Sequence, residues 1–215
     1  MKKQFFILAA LLGLGTTVRA QENVSWGPVL GVTSAKFSGD INDARSKTGL
    51  TAGLFLNYST ESRFGLLGQL LYTQLGTRQG NGPSEVNLNY IQLPILATFF
   101  LNDRGNPIRP KLFAGPHFGL LVGATNENGT NLNGDANNRA YRAGDIGLTL
   151  GGGLNARLSQ KVWLNADVRY GLGLTDVTTA PLTLNNRNWG VNAGVSFPLG
   201  QYQSRSGRFT PSRGR

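Results

Sequence analysis

Apolar and polar side chains alternate with a period of two residues over 147–158 and again over 162–171. One face of this pattern is aliphatic, and the other mixes glycine with polar and a few charged residues. Strict alternation predicts β-strands whose two faces meet different environments. The apolar face carries Leu148, Leu150, Leu154, Ala156, Leu158, Val162, Leu164, Ala166, Val168 and Tyr170, and the polar face carries Thr149, Gly151, Gly153, Asn155, Arg157, Asn165, Asp167, Arg169 and Gly171.

The same period recurs in eight segments of the chain, whereas segments with a helical period are hard to find. Each segment has 12 to 16 residues. A tilted strand needs about 9 to 11 residues to cross a bilayer, and strands of soluble sheets average about 5 or 6. The predicted strands are 26–37, 48–59, 64–78, 87–101, 109–124, 145–158, 162–176 and 188–199.

The connectors between these strands differ in length at the two ends of the predicted sheet. They contain 10, 4, 8, 7, 20, 3 and 11 residues in chain order, so the odd-numbered connectors are the longer ones. Short periplasmic turns, long external loops and an even strand number are typical of outer-membrane barrels. The pattern therefore predicts an all-β fold: an eight-stranded antiparallel up-and-down transmembrane β-barrel.

The chemistry of the two faces indicates which one is inside. An eight-stranded barrel has a narrow lumen that its own side chains fill, so it needs small residues and mutually compensating charges. The face rich in glycine fits this lumen, and the aliphatic face fits lipid. A soluble sheet would show the same alternation, but its wet face would carry more lysine and glutamate. The predicted polar network of the lumen consists of Asn155, Arg157, Asp167, Arg169 and His117.

Aromatic residues near the predicted strand ends indicate two girdles at the membrane interfaces. Ordinary core packing is the alternative for any one of them. The short-turn end carries Trp26, Tyr58, Phe64, Phe99, Phe100, Trp163 and Phe197, and the long-loop end carries Tyr72, Tyr90, Tyr170 and Trp189.

Two prolines, Pro94 and Pro116, fall within predicted strands. Proline lacks the N–H group that a strand ladder uses, and it usually lies at sheet edges or bulges. A closed barrel has no edges, so we expect a local β-bulge at each of these prolines.

The two ends of the chain differ from the barrel in composition. Residues 1–20 combine Lys2-Lys3, a short apolar run and small residues before Ala20, which predicts a cleaved signal peptide rather than a buried helix. Without them the chain has 18 basic and 11 acidic residues, a net charge of +7. Residues 201–215 contain four arginines and no acid, and we expect a basic disordered tail. The barrel domain is thus predicted over 21–200.

Several short motifs recur along the predicted strands. They are 64–72 with Gly76, Leu88-Asn89-Tyr90-Ile91-Gln92-Leu93-Pro94, Ala114-Gly115-Pro116, Asp145-Ile146-Gly147 with Gly151-Gly152-Gly153, 169–174 and Asn186-Arg187-Asn188. Together they resemble the motifs of the PorT-like outer-membrane beta-barrel domain family. The resemblance extends over essentially the whole mature chain except the tail, and it implies an integral outer-membrane protein without implying a reaction. Gln69 replaces the family's usual glutamate, and the Arg-rich extension is unusual.

Candidate chemistry is sparse along the sequence. The chain has no cysteine and one histidine, His117, which excludes thiol catalysis and Cys-bound metals. We interpret His117 as a packed lumen residue rather than a general base. The glycine cluster at 147–153 is followed by a strand and not by the helix that a dinucleotide fingerprint requires. No catalytic, cofactor-binding or metal site is predicted.

The preferred hypothesis is a small monomeric outer-membrane barrel with a filled lumen, non-enzymatic, that contributes structure or presents loops for interaction. Its partners would be outer-membrane lipid and a surface protein or glycan bound through loop 125–144, with no nucleic acid. Three alternatives remain open: a barrel enzyme acting on lipid or peptide, a soluble exported barrel that binds a small apolar ligand, and an ion channel.

Overall fold

Eight long antiparallel strands close into a barrel in the computed structural model, which describes residues 24–41, 43–60, 62–79, 84–134, 139–199, 201–203 and 208–210. Each barrel strand pairs with its neighbours in the chain, and the first strand pairs with the last. The elements are β1 (Val24–Gly39), β2 (Ala44–Arg45), β3 (Lys47–Ser59), β4 (Phe64–Gln79), β5 (Ser84–Phe100), β6 (Ile108–Asn126), β7 (Gly144–Arg157), β8 (Trp163–Gly173), β9 (Leu184–Pro198), β10 (Gln201–Gln203) and β11 (Arg208–Thr210). The prediction of an eight-stranded barrel is confirmed, with β2 as a two-residue extension paired to β4.

The strand ends differ from the predicted ones by up to four residues. β9 begins at Leu184, four residues before the predicted start at 188. Its first residues are polar and resemble a loop in sequence, but they continue the ladder against β1, where Gly39 faces Leu184. Among the described residues, no α-helix has the length and apolar character that a bilayer crossing requires.

The aliphatic face points outward and the polar face points inward, as predicted. Leu150 on β7 is 51 % exposed and Val168 on β8 is 48 % exposed, whereas Asp167 and Arg169 are only 7 % and 6 % exposed. In a soluble barrel these values would be exchanged. The outward leucines and valines form the apolar band that a membrane barrel presents to lipid.

The aromatic residues form girdles only where the alternation turns them outward. At the turn end the Trp26 ring lies 6.1 Å from that of Phe197, and at the loop end the Tyr170 ring lies 4.9 Å from that of Trp189. Tyr90 and Phe100, which we expected in the girdles, are instead fully buried in the lumen. The period of two explains both inward positions, because Tyr90 and Phe100 each directly precede or follow an outward-facing residue of β5.

Two connectors at the loop end, 127–143 and 174–183, are longer than every turn at the other end. The loop end also carries 40–46 and 80–83, and the turns at the other end comprise 60–63, 101–107 and 158–162. The connector at 80–83 is shorter than predicted because β4 and β5 continue further. Glu85 ties this extension together, since its carboxylate binds Arg78 at 2.9 Å and Lys47 at 3.3 Å.

The expected bulges at Pro94 and Pro116 are absent, and this prediction was wrong. Pro94 faces His117 and Pro116 faces Leu148 in an unshifted register. The one register shift between β5 and β6 lies between Asn89 and Tyr90. The ladder contacts are interrupted only on one side of each proline, between Pro94 and β4 and between Pro116 and β5. The missing N–H donor of each proline therefore weakens one ladder locally, and no extra residue is inserted into the strand.

The chain after the barrel forms a separate hairpin in which β10 pairs with β11. We expected disorder throughout 201–215, and these six residues differ from that expectation. The other residues of the tail, and the predicted signal peptide at 1–20, lie outside the described residues.

A charge placed on the lipid face should destabilise the barrel in proportion to its depth. Leu150 lies in the middle of β7, and Leu158 lies at the turn end and is 61 % exposed. We expect Leu150→Arg to lower the free energy of unfolding by about 2–4 kcal/mol, and Leu158→Arg by about 0–1 kcal/mol. Urea unfolding of the protein in lipid vesicles measures both values. Equal effects of the two substitutions would contradict the lipid-facing orientation.

Candidate functional site

A buried ion pair lies at the middle of the lumen. Asp167 and Arg169 lie two residues apart on β8 and both point inward, and the Arg169 Nη2 lies 2.8 Å from the Asp167 Oδ1. Asn192 of β9 donates a hydrogen bond to the same oxygen at 3.2 Å. Across the lumen, the Arg169 Nη1 donates to the Gln69 Oε1 of β4 at 2.6 Å. This set, the Asp167 cluster, links strands on opposite walls of the barrel.

Arg157 and Asn155 lie closer to the turn end than the Asp167 cluster. The register places Asp167 opposite Gly153 and Arg157 opposite Trp163, four residues apart on β8. Arg157 therefore lies away from Asp167 along the strands, and the Asp167 carboxylate is bound by Arg169. Asn155 is buried opposite Asn165.

His117 is buried in the lumen on β6. Its Nδ1 lies 2.9 Å from the hydroxyl oxygen of Thr149 on β7. The ring fits because residue 147 is glycine: a Cβ there would lie 2.6 Å from the His117 Cε1. His117 is 4 % exposed, so the ring is packed on every side.

Several buried polar residues of the lumen escaped the sequence prediction. Lys111 and Arg109 share the inward face of β6 with His117, and the Arg109 guanidinium stacks 3.8 Å from the centre of the Phe100 ring. The period of two that places His117 inside would also have placed these two inside. Asp145 is buried nearer the loop end, where its carboxylate accepts hydrogen bonds from Thr175 at 3.0 Å and Asn186 at 2.8 Å.

Two apolar clusters lie in the described part of the lumen. The lower cluster packs around the Asp167 cluster, since Leu67 and Leu71 flank Gln69 on β4 and the Arg169 guanidinium lies 5.6 Å from the centre of the Phe113 ring. The upper cluster closes the loop end. They consist of Val29, Phe55, Leu67, Leu71, Leu96 and Phe113, and of Ala35, Phe37, Leu75, Leu88, Tyr90, Ala124, Val177 and Leu184, respectively. Two cavities between the described lumen side chains measure about 20 Å³ and 10 Å³, so each has room for about one water molecule. The described lumen is filled.

Two of the loops are fastened together above the upper cluster. Tyr141 and Thr178 form a β-bridge, the Arg142 Nη2 lies 3.1 Å from the Asp176 Oδ2, and the Arg142 Nε donates to the Thr178 carbonyl oxygen at 2.8 Å. The Asp176 Oδ1 also accepts the backbone N–H groups of Thr178 and Leu184. We call this set of contacts the loop clasp. It joins residues 141–142 of the first loop to residues 176–178 of the second.

The charge of Asp176 is stabilised by the same contacts. Partial burial raises the pKa of Asp176, but the two backbone N–H groups and the Arg142 guanidinium outweigh it and hold the pKa below its ordinary value. Within the described part of the chain, no three His, Asp or Glu side chains converge as ligands of a metal ion.

A family model for the outer membrane protein beta-barrel domain matches residues 19–179, about three quarters of the chain. The chain belongs to this outer-membrane beta-barrel family. It is an integral protein of the bacterial outer membrane, and β1–β8 of its barrel lie within the matched region. Nothing in the match names the PorT-like branch.

Solved structures similar to this family member are also outer-membrane barrels. Neisserial surface protein A is 20 % identical with a TM-score of 0.54, over 82 % of this chain and 99 % of that one. OprG of Pseudomonas aeruginosa is 12 % identical with a TM-score of 0.48, over 83 % and 96 %. Ail of Yersinia pestis, in complex with the heparin analogue sucrose octasulfate, is 14 % identical with a TM-score of 0.45, over 81 % and 99 %. At 20 % identity, the likeness to Neisserial surface protein A shows the fold alone. The comparison with curated proteins gave no match.

Breaking the buried ion pair from one side should destabilise the barrel more than removing both partners. Asp167→Asn leaves the Arg169 charge uncompensated, and we expect it to cost about 3–5 kcal/mol. Asp167→Asn with Arg169→Met should cost clearly less than the sum of the single variants. Urea unfolding of the single and double variants in vesicles measures their free energies of unfolding. As a control, Arg63→Met removes the exposed pair with Asp103 and should cost at most about 1 kcal/mol. Additive costs at 167 and 169 would contradict the coupling.

The loop clasp should open in acid and stay closed at neutral pH. The folded pKa of Asp176 is below its unfolded value of about 3.9, so its contribution is complete above that value and is lost only as the pH falls through the lower folded pKa. Hydrogen exchange of the Thr178 and Leu184 amides, corrected for the intrinsic rate, should show this loss below about pH 4. Asp176→Asn should remove the pH dependence, and Glu127→Gln in the neighbouring loop should not. An unchanged acid response in Asp176→Asn would refute the assignment.

Proposed function

We propose that this outer-membrane protein acts as a closed barrel that carries a shaped loop surface for recognition at the cell surface, as a monomer and without conducting ions or catalysing a reaction. The observation that carries the proposal is the contrast between the two parts of the molecule. The lumen leaves cavities of only about 20 Å³ and 10 Å³, whereas the loops above it are fastened in a defined arrangement.

The absence of conduction follows from how the lumen is filled. Eight strands enclose a space about wide enough for their own side chains. The Asp167 cluster crosses that space from β8 to Gln69 on β4, and the upper apolar cluster closes it towards the loops. An ion would have to break a buried ion pair and then cross an apolar layer that cannot replace its water.

A non-enzymatic role is supported by the position of the one imidazole. His117 faces Pro94 on β5, and Tyr90 and Leu88 of the upper cluster follow on the same strand towards the loop end. A lipid or peptide substrate at the membrane surface would therefore be separated from the ring by the upper cluster. The Thr149 hydroxyl beside His117 is buried with it.

The loop surface has the chemistry of a polar recognition site. The described parts of loop 127–143 are held by asparagines: the Asn126 Oδ1 accepts the N–H groups of Asn128 and Thr130, and the Asn133 side chain bonds both the N–H and the carbonyl of Tyr141. Asn128 and Arg139 are exposed. A side-chain amide both donates and accepts hydrogen bonds, and a guanidinium group donates them from a planar fork, which suits a hydroxyl-rich glycan chain as the partner.

The finer family assignment is part of the same proposal. The segment Leu88-Asn89-Tyr90-Ile91-Gln92-Leu93-Pro94 supports a PorT-like protein, because it supplies Leu88 and Tyr90 to the upper cluster and a proline that the ladder tolerates. We also infer that residues 1–20 are removed as a signal peptide on export.

Reconstituted protein tests both halves of the proposal. In planar bilayers it should show no steady conductance. In liposomes it should bind members of an oligosaccharide panel, and Asn128→Ala with Arg139→Ala should reduce that binding roughly tenfold. Arg63→Ala at the opposite end is the control and should bind like the wild type. Steady ion conductance, or glycan binding that is equal in the loop variant and the wild type, would overturn the proposal.

A further inference from the structure

A cleft of about 390 Å³ opens at the loop end of the barrel. Its lining comes from β1, β4, β5, β9 and three connectors, so it exists only because the loops are packed in place. Six of the nine lining residues are apolar: Phe37, Ile41, Val86, Tyr141, Leu182 and Leu184.

The inner part of the cleft is built from the upper apolar cluster. Phe37 and Leu184 are members of that cluster, and the Phe37 ring lies 6.1 Å from the Tyr141 ring. Tyr141 is held from the other side by the loop clasp and by Asn133. The aromatic wall is therefore fixed before any ligand arrives, which lowers the entropy cost of binding.

Three polar residues, Asp40, Thr77 and Thr178, line the cleft. The Thr77 hydroxyl is buried and donates to the Arg45 carbonyl oxygen at 3.1 Å. Asp40 lies at the exposed rim, where its Oδ2 accepts the Thr183 N–H at 2.9 Å. Asp40 is the one charged residue among the described residues that line the cleft. An acid at the rim favours a cationic group and repels a carboxylate or phosphate.

The volume sets the size of the ligand. A cavity of about 150 Å³ holds one benzene ring, so a cleft of about 390 Å³ has room for about two fused rings with a short substituent. Small-molecule sites in proteins begin at about 300 Å³ and are mostly apolar with a few convergent polar groups. The cavities of the lumen are far below that size.

We propose that this cleft binds a small amphipathic amine, with an aromatic or short aliphatic body against Phe37 and Tyr141 and a protonated nitrogen beside the Asp40 carboxylate. Binding requires the packed loops but no macromolecular partner, so it stands apart from glycan recognition by Asn128 and Arg139. The ligand enters from outside the cell, since the cleft faces the loop end.

Binding can be measured with 2-naphthylmethylamine and the protein in nanodiscs of phosphatidylcholine, with empty nanodiscs subtracted. We expect saturable binding of the amine and weaker binding of 2-naphthoate. Leu182→Trp fills the cleft from its rim and should weaken amine binding roughly tenfold. Leu174→Trp changes an exposed leucine outside the cleft and is the matched control, which should bind like the wild type. Asp40→Asn keeps an acceptor for Thr183 and should weaken binding of the amine about two- to fivefold, while leaving binding of neutral 2-naphthalenemethanol unchanged.

Three results would overturn the proposal: no saturable binding above empty nanodiscs, equal weakening by Leu182→Trp and Leu174→Trp, or naphthoate binding at least as tightly as the amine. A heat-modifiable shift on a detergent gel shows that each variant is folded. Amine binding that survives in the Asn128→Ala, Arg139→Ala variant separates this site from the glycan surface, whatever the outcome there.

Discussion

Backbone hydrogen bonding in hydrocarbon is the constraint on which this structure depends. The bilayer core offers no water, so each N–H and C=O of a crossing strand needs a partner in a neighbouring strand. The chain meets this requirement when β9 pairs with β1 and removes the last free edges. Closure with eight strands fixes a narrow lumen, and the pleat then assigns alternate residues to lipid and to that lumen. Each of the two prolines is tolerated because it interrupts the ladder to one neighbouring strand only. Its pairing with the other neighbouring strand keeps its register.

The narrow lumen explains which side chains lie inside it. Glycine lies at positions where a neighbouring strand leaves no room for a side chain. A Cβ at Gly153 would lie 2.7 Å from the Cβ of Asp167. Asp167 is bound by Arg169 and Asn192 at the same depth, and the buried Arg109 guanidinium stacks on the Phe100 ring. The upper apolar cluster separates the Asp167 cluster from the loop end. The barrel interior is thus a packed core that contains polar side chains, whereas the outer surface of the barrel is apolar.

Strand number, strand positions and the orientation of both faces were predictable because period two is a local signal that lipid and lumen impose on every strand. Contacts across the lumen were not predictable, since Gln69 and Arg169 lie 100 residues apart in the chain and the sequence does not contain the barrel's register. The predicted strand ends were wrong where the strands leave the bilayer, because at Leu184 the alternation no longer separates lipid from lumen.

The extension of the strands beyond the bilayer is what makes the loop end different. β5 and β6 contain 17 and 19 residues, whereas about 9 to 11 suffice for the crossing. Over this extra length, water contacts the outer face of the barrel, so the side chains inside can be apolar. Loop residues such as Val177 complete this apolar core. Burial of Val177 and Tyr141 then fixes the loops that carry them. Within the bilayer, every side chain is constrained by lipid or by the lumen; beyond it, a loop can change while the core beneath still holds its shape. Recognition of a partner or ligand therefore belongs at this end of the molecule.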